Sequence, residues 1–114
     1  MYVRDEARLE ATMAFMRLSL MTPRPGQERE VSELLDKLLK LYVGRPGFRA
    51  AYRLSSDTHS GSTRMGRVSI WDSEEDAHRT AVNDTDIALQ SQIKVLCEDE
   101  THEEHSFDAH QLAS

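Results

Sequence analysis

The 114-residue sequence predicts an α+β domain: a ferredoxin-like βαββαβ chain with a four-stranded antiparallel sheet and helices on one face. Two observations carry that prediction. Apolar residues alternate with polar ones in separate short stretches, the period of half-buried strands, and recur at helical spacing between them. From Met16 to Ala109 these stretches run strand, helix, strand, strand, helix, strand, which is the split-βαβ order. Right-handed crossovers then place both helical regions on the same side of the sheet. The other side is left bare, and a bare sheet face predicts a partner.

Each element has its own signal. Met16, Leu18 and Leu20 alternate with Arg17, Ser19 and Met21 as a first strand, ended by Pro23, Pro25 and Gly26. Val31, Leu34, Leu35, Leu38, Leu39 and Tyr42 then form one face of an amphipathic helix, with Glu28 early and Lys37 and Lys40 late, as the helix dipole favours. Gly44 and Pro46 stop it. Phe48, Ala50, Tyr52 and Leu54 give a second strand, and the Ser-, Thr-, Asp- and Gly-rich run 55–63 a hairpin loop. Val68 and Ile70 mark a third strand that ends at Trp71. Ser73 is an N-cap residue opening a second helical region, broken near Asn83-Asp84, with Ile87, Ala88 and Ile93 as apolar positions. His105, Phe107 and Ala109 close the order as a short fourth strand. Residues 1–15 read as an N-terminal extension with a short helix over Arg4 to Thr12, and 16–114 as the domain.

Composition narrows the function classes. A net charge of −6 argues against nucleic-acid or anionic-membrane partners, which call for a basic surface. No apolar run approaches the roughly 20 residues that cross a bilayer, and the N-terminus lacks the apolar core of a signal peptide. A single cysteine, Cys97, makes no internal disulfide, and a cytoplasmic location is the default. No Gly-rich phosphate loop is present, and no bound cofactor is expected.

Three segments resemble the antibiotic biosynthesis monooxygenase-like family: the strand-Pro-Gly-helix opening from Leu18 through Glu30, Arg45-Pro46-Gly47-Phe48 leading into the second strand, and Ile70-Trp71-Asp72-Ser73-Glu74-Glu75. The resemblance implies the dimeric α+β barrel fold, a homodimer with facing sheets, and a cavity between each sheet and its own helices. It implies a cofactor-independent monooxygenase acting on a small aromatic of quinol or anthrone type; a non-catalytic dimeric small-molecule-binding module of the same fold is the alternative. The haem-degrading branch has an Asn in the first strand, a Trp nine residues after the one matching Trp71, and a His ten residues further. Here the strand has no Asn, and Thr80 and Gln90 stand at the other two places, which argues against haem degradation.

His78 is the candidate catalytic residue, because an imidazole titrates near working pH and can take a proton from a phenol. Its other reading is a solvated position beside Asp76 and Arg79. Trp71 is a candidate substrate-binding residue, stacking on an aromatic ligand, or else a packing anchor at a strand end. Tyr52 is the other substrate-binding candidate: on the apolar side of its strand, its ring is expected to face the helices, in the core or a pocket. His102, His105, His110 and Cys97 fit no tight zinc spacing, so no metal site is expected. The period-2 rule assigns Arg17, Ser19, Arg49, Arg53, Arg67, Ser69, Glu104 and Asp108 to the bare face. There Glu104 and Asp108, from the same or the partner chain, are expected to neutralise part of the arginine cluster within a polar dimer interface.

Overall fold

The computed structural model describes residues 13–57 and 61–113. The elements run β1 (Met13–Met21), α1 (Glu28–Lys40), β2 (Phe48–Ser55), β3 (Met65–Trp71), α2 (Glu74–Ala81), α3 (Asp84–Val95) and β4 (Glu103–His110). The sheet order is β2-β3-β1-β4, antiparallel throughout, which is the ferredoxin-like arrangement. β1 begins at Met13, before the predicted Met16. The helix expected over Arg4 to Thr12 lies outside the described residues.

Helix α1 forms where its pattern places it. Val31, Leu34, Leu35 and Leu38 are buried, Glu28 and Glu30 occupy its first turn, and Lys37 and Lys40 its last. Gly44, at φ +83°, ends the turn that follows. The predicted break at Asn83-Asp84 separates α2 from α3. Ser73 Oγ caps α2 by accepting from the Asp76 backbone N–H (3.2 Å), and Asn83 caps α3 by accepting from Thr85 N–H (3.0 Å). Of the apolar positions predicted here, Ile93 is buried, while Ile87 and Ala88 are exposed.

The sheet corrects the sequence reading at its centre. The alternation is present, but its faces are exchanged. Phe15, Ser19, Met21, Met65, Ser69 and Trp71 are buried against the helices. The pairing of Arg17 with Ser69 and Ser106, and of Ser19 with Arg67 and Glu104, puts all of these on that same helix-facing side. The opposite, open face carries aliphatic and aromatic side chains. One row across it runs Tyr52, Val68, Leu18, His105; the next runs Ala50, Ile70, Met16, Phe107. The central polar set expected on the bare face, Arg17, Ser19, Arg67, Ser69 and Glu104, therefore lies on the helix side, and the apolar set lies outside. Around the helix-side polar patch the core closes with apolar residues: Phe15, Met21, Met65 and Trp71 at the strand ends meet α1, Tyr42, Ala77, Ile93 and Cys97. Burial pushes the Cys97 thiol up, against the pull of Arg24, which keeps it a small inert core residue.

The β2 entry depends on Gly47. Its φ is +78°, its carbonyl accepts from the Asp72 N–H at 2.8 Å, and a Cβ there would run into the Asp76 carboxylate. Gly47→Ala is expected to cost about 1–3 kcal/mol through strain and that collision. Urea denaturation checks it; a cost below about 0.5 kcal/mol would mean the turn re-forms easily.

Candidate functional site

The exchanged faces create the site. Polar side chains at the middle of β1, β3 and β4 cannot close-pack against α2 and α3, so a cavity of about 320 Å³ remains between sheet and helices. The strands supply Arg17, Ser19, Arg67, Ser69, Trp71, Glu104 and Ser106. The helices supply Ala77, Thr80, Ala81 and Gln90, and the turn after α1 supplies Tyr42. β4 is exposed along its length and forms the open side, with His105 at the rim.

Aromatic residues wall one end. Tyr42 packs edge-on to Trp71 with ring centroids 5.3 Å apart, and Phe48 meets Trp71 edge-on at 5.4 Å. Trp71 is 1% exposed, and its indole N–H donates to Ser69 Oγ at 2.9 Å. It is thus both a packing anchor and a wall of the cavity, with its one donor already satisfied.

The cavity carries two guanidinium groups and one carboxylate. Arg67 donates to the Tyr42 hydroxyl and stands 3.9 Å from Glu104 Oε1. Ser19 Oγ donates to the same carboxylate at 3.3 Å. Arg17 lies over the Phe15 ring, 5.6 Å from guanidinium carbon to centroid, and its Nε is buried without a hydrogen-bond partner among the described residues. A buried donor left unpaired costs free energy, so it marks a place where an acceptor is missing. Burial pushes the Tyr42 phenol up, and Asp86 reinforces this, while Arg67, Arg45 and Arg17 oppose it. The phenol stays protonated at neutral pH.

Behind Tyr42, Asp86 is fully buried in the first turn of α3 and accepts from Arg45 Nη1 at 2.9 Å. Burial pushes the Asp86 carboxyl up from its ordinary value, against the pull of Arg45. This pair ties α3 to the turn that carries Tyr42.

The predicted site residues separate. Trp71 lines the cavity. Tyr52 does not: it pairs with Val68 on the open face and is 57% exposed, because its parity along β2 is opposite to that of the helix-facing Ala51. His78 is exposed on α2, whose buried positions are the cavity-lining Ala77 and Thr80. Of the expected carboxylate partners, Glu104 meets Arg67 within the same chain, but on the helix side of the sheet rather than on the bare face. Arg49 and Arg53 pair instead with Asp72 (2.6 Å) and Asp36 (2.8 Å). Tyr42, Arg17, Arg67 and Gln90 escaped selection as site residues. Thr80 and Gln90, compared only as departures from the haem-degrading pattern, both face the cavity. No group of His, Cys, Asp and Glu among the described residues is arranged to hold a metal ion, and no helix among them is long and apolar enough to cross a membrane.

No family model matches the sequence, and no curated protein matches it. Solved structures do match in fold. SnoaB, a cofactor-independent oxygenase from Streptomyces nogalater, in a mutant form, superposes with a TM-score of 0.74 at 15% identity, over 86% of this chain and 94% of that one. Rv0793 from Mycobacterium tuberculosis gives 0.75 at 14% identity, over 89% and 99%. A Nitrosomonas europaea protein provisionally named an antibiotic biosynthesis monooxygenase gives 0.72 at 10% identity, over 87% and 90%. The chain shares the fold of these proteins.

Proposed function

We propose that the chain is a cofactor-independent monooxygenase of a small, ionisable aromatic of quinol or anthrone type, working as a homodimer. The observation that carries this reading is the cavity under the sheet, lined by Arg17 and by the protonated Tyr42. Its volume, about 320 Å³, lies at the lower end of the range for small-molecule pockets, roughly 300–1,000 Å³. The fold shared with SnoaB supports it.

The chemistry asks little of the protein. The substrate gives up its acidic proton to solvent as it binds, and Glu104, the cavity's one carboxylate, stays charged. The resulting anion, stabilised by Arg17, transfers an electron to dioxygen, and the two radicals join through a new C–O bond. The peroxide anion so formed takes a proton from solvent, and the hydroperoxide loses water and leaves a carbonyl. One oxygen atom enters the product, the other departs as water, and the substrate supplies the electrons. His78 is not used, since it does not reach the cavity.

The binding-module alternative draws on one feature: the cavity's one carboxylate, Glu104, is already engaged by Ser19 and Arg67 and is not free to meet a substrate. Oxygen-electrode measurements with anthrones and quinols, with no flavin or metal added, separate the two readings. The oxygenase is expected to consume one dioxygen per carbonyl formed, and Arg17→Met to lose about 10²-fold in kcat/KM. Binding without uptake across the panel would leave the module.

A further inference from the structure

We propose that the cavity selects its ligand by charge: it takes an aromatic monoanion, whose anionic oxygen sits between the Arg17 guanidinium and the Tyr42 hydroxyl. This rests on the reading of the cavity as the ligand site and deepens it by naming the ligand class.

Three observations point there. The first is a charge count. Arg17 and Arg67 contribute two positive charges and Glu104 one negative, so these three side chains leave the cavity at +1 inside a chain of net charge −6. A single negative charge on the ligand closes that balance, whereas a neutral ligand leaves an uncompensated, poorly solvated cation. The second is Arg17 itself, a cavity-lining guanidinium whose buried Nε has no hydrogen-bond partner among the described residues. The third is the direction of the hydrogen bond at Tyr42. Arg67 donates to the Tyr42 oxygen, so the phenolic proton is not used in that contact, and no described residue accepts it. Burial keeps that proton in place, so Tyr42 presents a donor whose oxygen is polarised by a guanidinium. Two donors in one cavity match a carboxylate or a phenolate better than a cation.

Neither neighbour neutralises Arg17 in place of a ligand. Glu104 lies against Ser19 and Arg67, and Asp86 is held by Arg45. The walls next to the anion position are Trp71, Tyr42 and Ala77, which fit an aromatic ring.

Binding, not turnover, tests this, so its failure is separable from failure of the oxygenase reading. Calorimetry on the full chain compares 2-naphthoate with 2-naphthamide, which match in shape and differ in charge. Absorbance titration with 4-nitrophenol, whose anion has its own band, covers the phenolate source. Trp71, the only tryptophan, reports occupancy by fluorescence quenching. The acid is expected to bind at least about tenfold more tightly than the amide. Bound nitrophenol is expected to be ionised at a pH below its free value. Arg17→Met should abolish the preference, Arg17→Lys should restore part of it, and Tyr42→Phe should reduce it about threefold or more. Preference for only one of the two anions supports the proposal and assigns the source. Equal binding of acid and amide, binding of neither anion, or a preference that survives Arg17→Met overturns it.

Discussion

Arg45→Met is expected to destabilise the protein by about 3–5 kcal/mol, read as a fall in Tm on the order of 15 °C. The reason is asymmetry in the buried pair. Asp86 is 0% exposed, while the Arg45 side chain is 23% exposed and reaches water. Removing the arginine strands a carboxylate in a dry site. Asp86→Asn instead leaves a cation that solvent can reach, and should cost only about 1 kcal/mol. The double variant should recover much of the single Arg45 loss, because it buries no unpaired charge. The pH dependence has a definite sign. The folded carboxyl is raised from 3.8, so the folded state holds its proton more tightly than the unfolded one. That contribution to stability is complete below about 3.8 and is lost as pH rises through the raised value. Taking away Arg45 removes a lowering influence, so the window widens upward and the penalty grows with pH. Urea denaturation at several pH values checks both points. A loss below about 1 kcal/mol at neutral pH, unchanged on acidification, would show that Asp86 finds another partner.

The fold was legible in the sequence because its signals are local. Helix α1 needs only its own heptad-like spacing and Gly44, and α2 its Ser73 cap. Strand order followed from element order, since few topologies join such elements without crossing. Face assignment is not local. The alternation in β1 and β3 shows two sets of side chains but not which set meets the helices. A polar cavity inside and an apolar surface outside reverse the usual expectation, and Tyr52 went to the wrong side with its set.

A signal for the reversal does exist. Phe15 and Met21 bracket Arg17 and Ser19 at the same parity, and Met65 and Trp71 bracket Arg67 and Ser69. A helix-facing set that is apolar at both ends and polar in the middle is a core with a hole in it. Trp71 has the opposite parity to Val68, which already separates it from Tyr52. Tyr42 was legible as an apolar position of α1, but not as a donor. That role needs Arg67, 25 residues away in sequence, to approach its hydroxyl.

Val68→Asp is expected to convert a homodimer into a folded monomer. Val68 sits on the inner strand β3, between Leu18 and Tyr52 in the middle row of the open face. Met16, Leu20, Leu54, Ile70 and Phe107 share that face, and Tyr52 and Phe107 remain 57% and 49% exposed. Contiguous apolar surface of this kind is uncommon on monomers, and pairing two such sheets would supply the roughly 1,200 Å² or more that a stable dimer buries. Symmetry doubles the effect of one substitution, because each copy contributes the same patch. Burying two facing carboxylates costs several kcal/mol, enough to weaken association by about a thousandfold or more. In the separated chain the new carboxylate faces water, so circular dichroism should show an intact fold. Sedimentation equilibrium at micromolar concentration should give twice the 13.0 kDa chain mass for the parent and the chain mass for the variant. The polar interface first expected from the sequence makes the opposite prediction, in which Asp108→Ala weakens the dimer. Asp108 pairs with Phe15 in register on the helix-facing side, so that substitution should leave the dimer intact. A parent that sediments as a single chain, or a Val68→Asp variant that stays dimeric, would place the partner elsewhere than on the open face of the sheet.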